Sequence, residues 1–323
     1  MNTTTAAEGL KEARYELVTV PEEFGPVRVR VDEAKVLGYA FAQADFGAWH
    51  FGDSPFGGPV AHPLVLANDL LFLFYQHYDG NTARGLHTHE RLTFHAPIRV
   101  GETVTITGAY TDKYERRGQG YVVLEAEARG EDGRLLVTHH GREIMRTRAG
   151  DVVGRSSAGA RGRRVRGETD PSLGVAERPA AGLVPGTALP ALTRRFDQDQ
   201  MNAFSWAGRG FVNVHTSAAV AAEQGLDRTI VQAQQQTGVI VTAMTRFFGA
   251  AWFTSGSLDL RFVRPALCGD ELTVHAAVCS QDDRRLELEV WVTKPDGTGT
   301  ARGWASANGP EATEGPVSCV PGL

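Results

Sequence analysis

The sequence predicts an α+β protein made of two tandem copies of one domain, each with a long buried helix and an antiparallel sheet. Three observations support this prediction: a repeated phrase, a long apolar segment before each copy of it, and a hairpin signal after each. The chain has 323 residues, which is the usual length of about two domains.

The repeated phrase occupies residues 94–106 and returns at residues 262–274. In both places a Phe and a Pro precede a Gly, an acidic residue and an alternating strand pattern. The matched residues are Phe94, Pro97, Gly101, Glu102 and Val104 in the first copy and Phe262, Pro265, Gly269, Asp270 and Leu272 in the second. Because the offset is constant, the phrase indicates a duplicated domain. Duplication lets one copy keep the chemistry while the other diverges.

A long apolar segment precedes each phrase, at residues 63–78 and 234–248. Both segments are too long for a typical strand. In the first, Leu66, Leu70 and Leu73 follow helical spacing, although nearly every face is apolar. A helix that is apolar all round is usually buried, so the sequence predicts two long buried helices.

A hairpin signal follows each phrase. The Asp-Gly pair at 132–133 comes after a strand-like run at 121–128, and the pair at 296–297 comes after a run at 286–292. Asp-Gly between two alternating runs is typical of a tight β-hairpin. Each copy is therefore predicted to hold three or four antiparallel strands, and the two sheets are predicted to join edge to edge.

The predicted boundaries follow from composition. Residues 1–150 form the first domain, residues 151–190 a linker and residues 191–323 the second domain. The linker begins with a Ser-, Ala-, Gly- and Arg-rich stretch at 156–162, continues into a basic cluster at 161–166 and then contains several prolines. A solvated linker explains the basic cluster most simply, and binding of a carrier's phosphate is the alternative.

Composition excludes several classes of protein. The net charge of −5 gives no reason to expect nucleic acid, and 42% hydrophobic with 22% charged residues is ordinary for a soluble globular chain. Cys268, Cys279 and Cys319 have neither disulfide nor metal spacing, which favours a reducing, cytoplasmic setting. The N-terminus lacks the form of a signal peptide, and no apolar run is long enough for a bilayer. We therefore expect no membrane association.

The chemistry-bearing motif lies in the first copy. Asp45 precedes His50 by five residues, and Val-Ala-His-Pro at 60–63 then leads into the apolar helix. This arrangement resembles the MaoC-like hydratase and dehydratase family in its double-hotdog form, where a curved antiparallel sheet wraps a central helix. The family pattern is Asp, four residues, His, and later Ile/Val-Ala-His-Gly at the helix entry. Here Pro63 replaces the Gly, and Gly-Ala at 47–48 replaces the usual Asn-Pro.

The resemblance implies an R-specific enoyl thioester hydratase or 3-hydroxyacyl thioester dehydratase with Asp45 and His50 as its acid–base pair. A carboxylate and an imidazole on one loop can share one water and move both protons on the same face of the substrate. Proton exchange at the α-carbon places negative charge on the thioester oxygen. Backbone N–H groups at the helix entry, residues 61–64, are expected to stabilise that charge.

The same resemblance implies a set of substrate contacts and a carrier for the acyl group. No metal and no redox cofactor are implied. The thioester is expected to arrive on coenzyme A or on the phosphopantetheine of an acyl carrier protein. Whether the chain is a monomer or a homodimer stays open. The expected substrate-binding residues are Trp49, Phe56, Gly58, Ala61, His62, Pro63 and His215.

The second copy has lost part of the motif. His215 is retained, but the position five residues before it is Gly210, and Gln232 stands where the first copy has His62. Without a carboxylate partner, this copy is expected to be non-catalytic and to shape the substrate tunnel. His215 either lines that tunnel or has a structural role.

Several alternatives stay open from the sequence. The same site could add an amine to an enoyl thioester or hydrolyse the thioester, and an acyl-binding module without catalysis is a third class. His62 is interpreted as a supporting or helix-capping residue in preference to a proton carrier. The aromatic residues Phe46, Trp49, Phe51 and Phe56 either line the acyl pocket or pack beneath the loop.

Several histidines lie outside the motif. His87 and His89 are predicted to share one face of a strand, with His95 nearby. Zinc requires further ligands in a known spacing, so sheet surface is the favoured interpretation of these residues.

Overall fold

The computed structural model describes residues 7–145, 163–206, 210–282 and 284–309. The helices in the described residues are α1 (Glu33–Gln43), α2 (Ala67–Leu71), α3 (Gln198–Phe204), α4 (Ala218–Glu223), α5 (Ala233–Phe248) and α6 (Ala250–Ser255). Among these residues, no helix combines the length and the apolar character needed to cross a membrane.

The strands fall into two similar blocks along the chain. The first block holds β1 (Lys11–Glu12), β2 (Glu22–Arg30), β3 (Tyr78–Asp79), β4 (Leu86–Phe94), β5 (Thr103–Arg116), β6 (Gln119–Arg129) and β7 (Leu135–Ile144). The second holds β8 (Leu192–Arg195), β9 (Ser257–Phe262), β10 (Glu271–Gln281), β11 (Arg285–Thr293) and β12 (Gly299–Asn308). The short β1 and β3 pair with each other in parallel.

The other strands form one 10-stranded sheet in the order β2-β5-β6-β7-β4-β9-β12-β11-β10-β8. Reading inward from either edge gives the same sequence of elements, so the two copies are related by approximate twofold symmetry. They meet where β4 and β9 pair antiparallel, from His89 opposite Arg261 to Thr93 opposite Ser257. The predicted edge-to-edge junction of two antiparallel sheets is confirmed.

The repeated phrase forms the same turn in both copies. Gly101 and Gly269 have φ angles of 96° and 81°, a left-handed conformation that favours glycine. The amide of Gly101 donates to the carbonyl of Val31 at 2.7 Å, and the amide of Gly269 donates to the carbonyl of Phe196 at 2.9 Å. Since these two carbonyls immediately precede the N-terminal caps of α1 and α3, the turn ties each sheet to the helix that leads into its site.

The two predicted long helices have different outcomes. The segment predicted at 234–248 is confirmed as α5. The segment predicted at 63–78 is not one continuous helix: only α2 is regular, turns precede it, and a tighter 3₁₀ helix continues it at Phe72–Gln76. Side chains three residues apart eclipse in a 3₁₀ helix, and here Phe72 and Tyr75 stack with ring centroids 4.6 Å apart. Stacking of aromatic side chains thus accompanies the tighter winding.

The end of the predicted linker runs along the second copy. The amide of Gly186 donates to Val278 at 2.9 Å, and that of Leu189 donates to Ala276 at 3.0 Å, so this segment lies against β10 before β8 begins. In the basic cluster, Arg163 forms an ion pair with Glu287. Residues 151–162 of the predicted linker lie outside the described residues, and the predicted ranges of the two domains and the linker stay predictions.

One hydrophobic core serves both copies. It includes Leu70 and Ile106 from the first copy together with Ile240 and Leu288 from the second. Helix α5 also approaches α1 closely, because a methyl group on Gly238 would lie 2.3 Å from the side-chain nitrogen of Gln43. This close approach brings the central helix of the second copy against the loop that carries the motif of the first.

Candidate active site

Helix α1 positions Asp45. Asp32 caps its N-terminus by accepting a hydrogen bond from the amide of Lys35 at 2.9 Å, as short polar side chains commonly do. The helix ends at Ala44, which adopts the left-handed conformation with φ 50° and ψ 40°. The amide of Asp45 then donates back to the carbonyl of Ala40 at 2.9 Å. The carboxylate therefore leaves the helix at a defined point and is only 7% exposed.

His50 is held by the strand-like segment that enters the helical region. Its Nδ1 lies 2.8 Å from the carbonyl oxygen of Val60. Because a carbonyl can only accept, Nδ1 carries the hydrogen, and the neutral tautomer that fits this contact has its lone pair on Nε2. The amide of Val60 donates to the carbonyl of Trp49 at 2.8 Å, so the two segments hold each other.

The free atoms of Asp45 and His50 face one small space above Gly47. A methyl group on Gly47 would lie 3.3 Å from Nε2 of His50 and 3.6 Å from Oδ1 of Asp45. The two side chains that the sequence paired are therefore brought together. An atom of ordinary size in that space can contact both of them.

Asp45 also receives support from the second copy. The hydroxyl of Thr242, on α5, donates to Oδ2 of Asp45 at 2.7 Å, and Nε2 of His62 lies 3.2 Å from the same hydroxyl. The other ring nitrogen of His62 accepts from the amide of Leu64 at 3.1 Å. Since Nδ1 accepts, Nε2 carries the hydrogen and donates to Thr242. A directed chain of hydrogen bonds thus runs from His62 through Thr242 to Asp45.

The electrostatics agree with these directions. Burial lowers the pKa of His62 to about 3, more strongly than nearby Asp45 raises it, so this histidine is neutral at physiological pH. Burial would raise the pKa of Asp45, but His62, the Thr242 hydroxyl and other nearby groups together lower it. We assign the lowering chiefly to the Thr242 hydrogen bond, because a neutral His62 contributes little charge. His62 therefore supports the site and caps a turn, and Asp45 is ionised.

The expected oxyanion donors at residues 61–64 are mostly engaged elsewhere. The amide of Ala61 donates to Ile98 at 2.8 Å, Pro63 has no N–H, and the amide of Leu64 donates to the His62 ring. The expected oxyanion site at residues 61–64 is therefore reduced to a single available amide and stays a prediction. Within the described residues, the amide of His62 is the one in this segment to which no hydrogen-bond partner is assigned.

The aromatic side chains of the loop divide into two pairs. Trp49 and Phe56 pack against Phe253 of the second copy, with ring centroids 5.9 and 5.4 Å apart. Phe46 and Phe51 stack on each other at 6.1 Å and are mostly exposed. Trp49 and Phe56 therefore lie at the junction of the two copies, and the other pair lies on the surface.

The remaining expected substrate contacts lie around the helix entry. Ala61 and Pro63 are buried, and the carbonyl of Gly58 accepts a hydrogen bond from the Ser54 hydroxyl. Their assignment as substrate contacts stays a prediction.

His215 occupies the matching place in the second copy, away from Asp45 and His50. Its Nδ1 lies 2.8 Å from the carbonyl of Ile230, which repeats the arrangement of His50 with Val60. Burial lowers the pKa of His215 to about 4. The ring lines a cavity of about 310 Å³ together with Gln232, whose side chain donates to the Ser205 hydroxyl at 2.9 Å.

The sequence analysis did not identify two residues of the site, Thr242 and Gly47. Thr242 comes from the other copy, and only the tertiary crossing of α5 over the motif loop brings it to Asp45. Gly47 was noted as a departure from the family pattern. The sequence did not show that the absence of a side chain at Gly47 leaves the space between Asp45 and His50 open. The nonstandard Gly-Ala pair was the signal that could have identified it.

Comparisons with known proteins agree with this architecture. Residues 4–139 match the model of the FAS1-like dehydratase domain region. No significant match to a curated protein sequence was found.

Solved structures share the whole arrangement at low sequence identity. One named MaoC-like dehydratase is 16% identical, with a TM-score of 0.67, covering 92% of this chain and 100% of that one. A MaoC-like dehydratase from Phytophthora capsici is 14% identical, with a TM-score of 0.62, covering 91% of this chain and 96% of that one. A conserved hypothetical protein from Mycobacterium tuberculosis, described as a double hotdog, is 15% identical with a TM-score of 0.64, covering 92% and 98%. The chain therefore has the double-hotdog fold of MaoC-like dehydratases, and its first half matches the FAS1-like dehydratase region.

Proposed function

We propose that the chain is a hydratase or dehydratase acting on an enoyl or 3-hydroxyacyl thioester. The observation that carries the proposal is the convergence of Asp45 Oδ1 and His50 Nε2 on one space above Gly47. The fold and the dehydratase-region match support the same reaction class. Coenzyme A or a carrier-bound phosphopantetheine supplies the thioester arm.

In the hydration direction, a water molecule in that space contacts both side chains. Its oxygen adds to the β-carbon while Asp45 accepts the proton that the water loses. Nε2 of His50 accepts a hydrogen bond from the same water, which orients the lone pair of the water oxygen toward the β-carbon. The proton on Asp45 then passes to the α-carbon on the same face, which restores the carboxylate.

The intermediate charge on the thioester oxygen needs a donor. The amide of His62 is suited to this role because no partner is assigned to it and it precedes the helical segment. Removal of one such donor typically costs roughly 3–4 kcal/mol of transition-state stabilisation. Dehydration follows the same steps in reverse.

The direct test is incubation of the full chain with crotonyl and longer enoyl thioesters, followed by mass analysis of the products. A gain of one water is the expected result. A gain of an added amine, or release of the free acid, would assign the site to amine addition or to thioester hydrolysis instead. Unchanged substrates across the series would contradict catalysis and leave an acyl-binding module.

The Thr242 hydrogen bond gives a prediction on pH dependence. Thr242→Val removes the donor that stabilises the ionised form of Asp45, so the pKa of Asp45 should rise. Activity that requires ionised Asp45 is lost as pH falls through that pKa, and the acidic limb of kcat/KM should move to higher pH. We expect about a tenfold loss at the acid end and a smaller loss above neutrality. The measurement is the pH profile of kcat/KM.

Two further variants control this experiment. Thr242→Ser keeps the hydroxyl and should restore the wild-type profile. Thr245→Val changes the same residue type on the same helix, where the hydroxyl has no hydrogen-bond partner, and should leave the profile in place. A profile for Thr242→Val that matches the wild type would show that Thr242 does not set the protonation of the catalytic carboxyl.

A further inference from the structure

A second cluster of ionisable side chains lies near the junction of the two copies. It consists of His87 and Glu90 on β4 and His139 on β7, and one possible ligand atom from each lies within 4.8 Å of the others. Sequence spacing had indicated sheet surface for His87 and His89. That interpretation is wrong for both residues, because the side chains of His87 and His89 are each only 7% exposed.

A β-bulge between His87 and His89 separates their environments. His89 turns to Asp259, with Nε2 and Oδ1 2.9 Å apart, whereas the His87 ring lies beside that of His139, with centroids 6.0 Å apart. The two histidines therefore do not share a site. His87 joins Glu90 and His139 instead.

The cluster is buried and its facing atoms are unsatisfied. The side chains of Glu90 and His139 are 0% exposed, and that of His87 is 7% exposed. No hydrogen-bond partner is found for Nε2 of His87, Oε1 of Glu90 or either ring nitrogen of His139. Nε2 of His139 does lie 3.3 Å from Oε1 of Glu90, but without hydrogen-bond geometry. Buried polar atoms without partners are rare and costly, so an ion or a water bound between these atoms would satisfy them.

The second polar atoms of the His87 and Glu90 side chains do have partners. Nδ1 of His87 lies 3.4 Å from Oε1 of Glu143. Oε2 of Glu90 accepts a hydrogen bond from the Thr237 hydroxyl of α5 at 2.7 Å. Metal-binding histidines commonly donate their second N–H to a carboxylate, and metal-binding carboxylates are themselves hydrogen-bonded. The cluster has both features.

Gly141 provides the room for the two imidazoles. It lies opposite Glu90 in the β4–β7 pairing. A methyl group there would lie 2.8 Å from Cε1 of His139 and 3.0 Å from Cε1 of His87. Any larger side chain at this position would displace the rings, so glycine is required for the cluster to form.

We propose that His87, Glu90 and His139 bind one divalent transition-metal ion. Two imidazoles and one carboxylate are a ligand set used by zinc, and three protein ligands leave a further coordination position. His87 and Glu143 also line the 310 Å³ cavity, whose walls come from both copies, so this side of the cluster is next to open space. Through Thr237 the ion would link β4 of the first copy to α5 of the second. This proposal is independent of the reaction at Asp45 and His50.

The test uses the full chain, purified without chelator and with any affinity tag removed, and then stripped with a chelator. Zn²⁺ added to the stripped protein should bind at roughly one equivalent per chain and raise the Tm. Co²⁺ in the same position should give visible absorption bands typical of nitrogen and oxygen ligands. The readouts are elemental analysis, calorimetric titration and absorption spectroscopy, none of which depends on enzymatic activity.

Variants assign the binding to this cluster. Glu90→Gln and His139→Ala should abolish saturable Zn²⁺ binding, and Glu143→Gln should weaken it by about 10–100-fold, as outer-shell changes do. The matched control is His140→Ala, because His140 is the next residue on β7 and faces exposed Glu125 instead. That variant should bind as the wild type does. Circular dichroism verifies that each variant is folded.

Two results would overturn the proposal. The first is a stripped wild-type protein that binds neither Zn²⁺ nor Co²⁺ saturably. The second is equal binding by Glu90→Gln and His140→Ala. Either result would make the three residues a buried ionic network instead of a metal site. If His139→Ala does not fold, the wild-type Co²⁺ spectrum and the affinity of Glu143→Gln decide the question.

Discussion

Replacing Asp45 by Asn is expected to lower kcat/KM for hydration of an enoyl thioester by about a hundredfold or more, the usual scale for a general acid–base group. Asn has the same shape and its amide oxygen can still accept the hydrogen bond from Thr242. It cannot take a proton from water at neutral pH. The loss should therefore appear in turnover while the fold, checked by circular dichroism and Tm, is retained.

His50→Ala should cause a loss of similar size, because it removes the Nε2 that faces the same space as Asp45. His215→Ala is the matched control, since His215 makes the same Nδ1 contact to a carbonyl in the second copy but has no carboxylate beside it in the repeated motif. It should reduce activity far less. Equal losses at the two histidines would contradict a single working site in the first copy.

The sequence was most informative where local chemistry determines local structure. The turn of the repeated phrase depends on a glycine with positive φ, which explains why Gly101 and Gly269 stand at matching positions in the repeat that indicated the duplication. Helix α5 was predicted because an apolar segment of that length is too long for a typical strand. Asp45 and His50 were predicted together because their spacing, followed by Val-Ala-His at 60–62, resembles the MaoC-like pattern.

The rest depended on contacts between distant parts of the chain. The segment after Pro63 was expected to be one long helix, but stacking of Phe72 on Tyr75 goes with a tighter winding that apolar periodicity does not encode. The sequence shows which amides stand at the start of a helix but does not show their hydrogen-bond partners. The hydrogen bond from the amide of Ala61 to the carbonyl of Ile98 could therefore not be predicted. Likewise His139 joins His87 only through strand pairing.

Gly47→Ala is the sharpest steric test of the proposed site. Gly47 has φ −53° and ψ 137°, values that alanine adopts without strain, so the backbone should not change. The added methyl group would lie 3.3 Å from Nε2 of His50 and 3.6 Å from Oδ1 of Asp45. It would occupy the space assigned to the reacting water and press on the imidazole.

We expect kcat of Gly47→Ala to fall by about a hundredfold, the scale of a displacement of roughly 1 Å at a reacting centre, with little change in Tm. Gly52→Ala is the matched control: it lies in the same loop, and its methyl group would meet only the carbonyl oxygen of Ala48 at 3.5 Å. Its activity should stay near that of the wild type. Undiminished turnover in Gly47→Ala would show that no reacting atom passes between Asp45 and His50, and the proposed shared water would have to be abandoned even if both side chains proved essential.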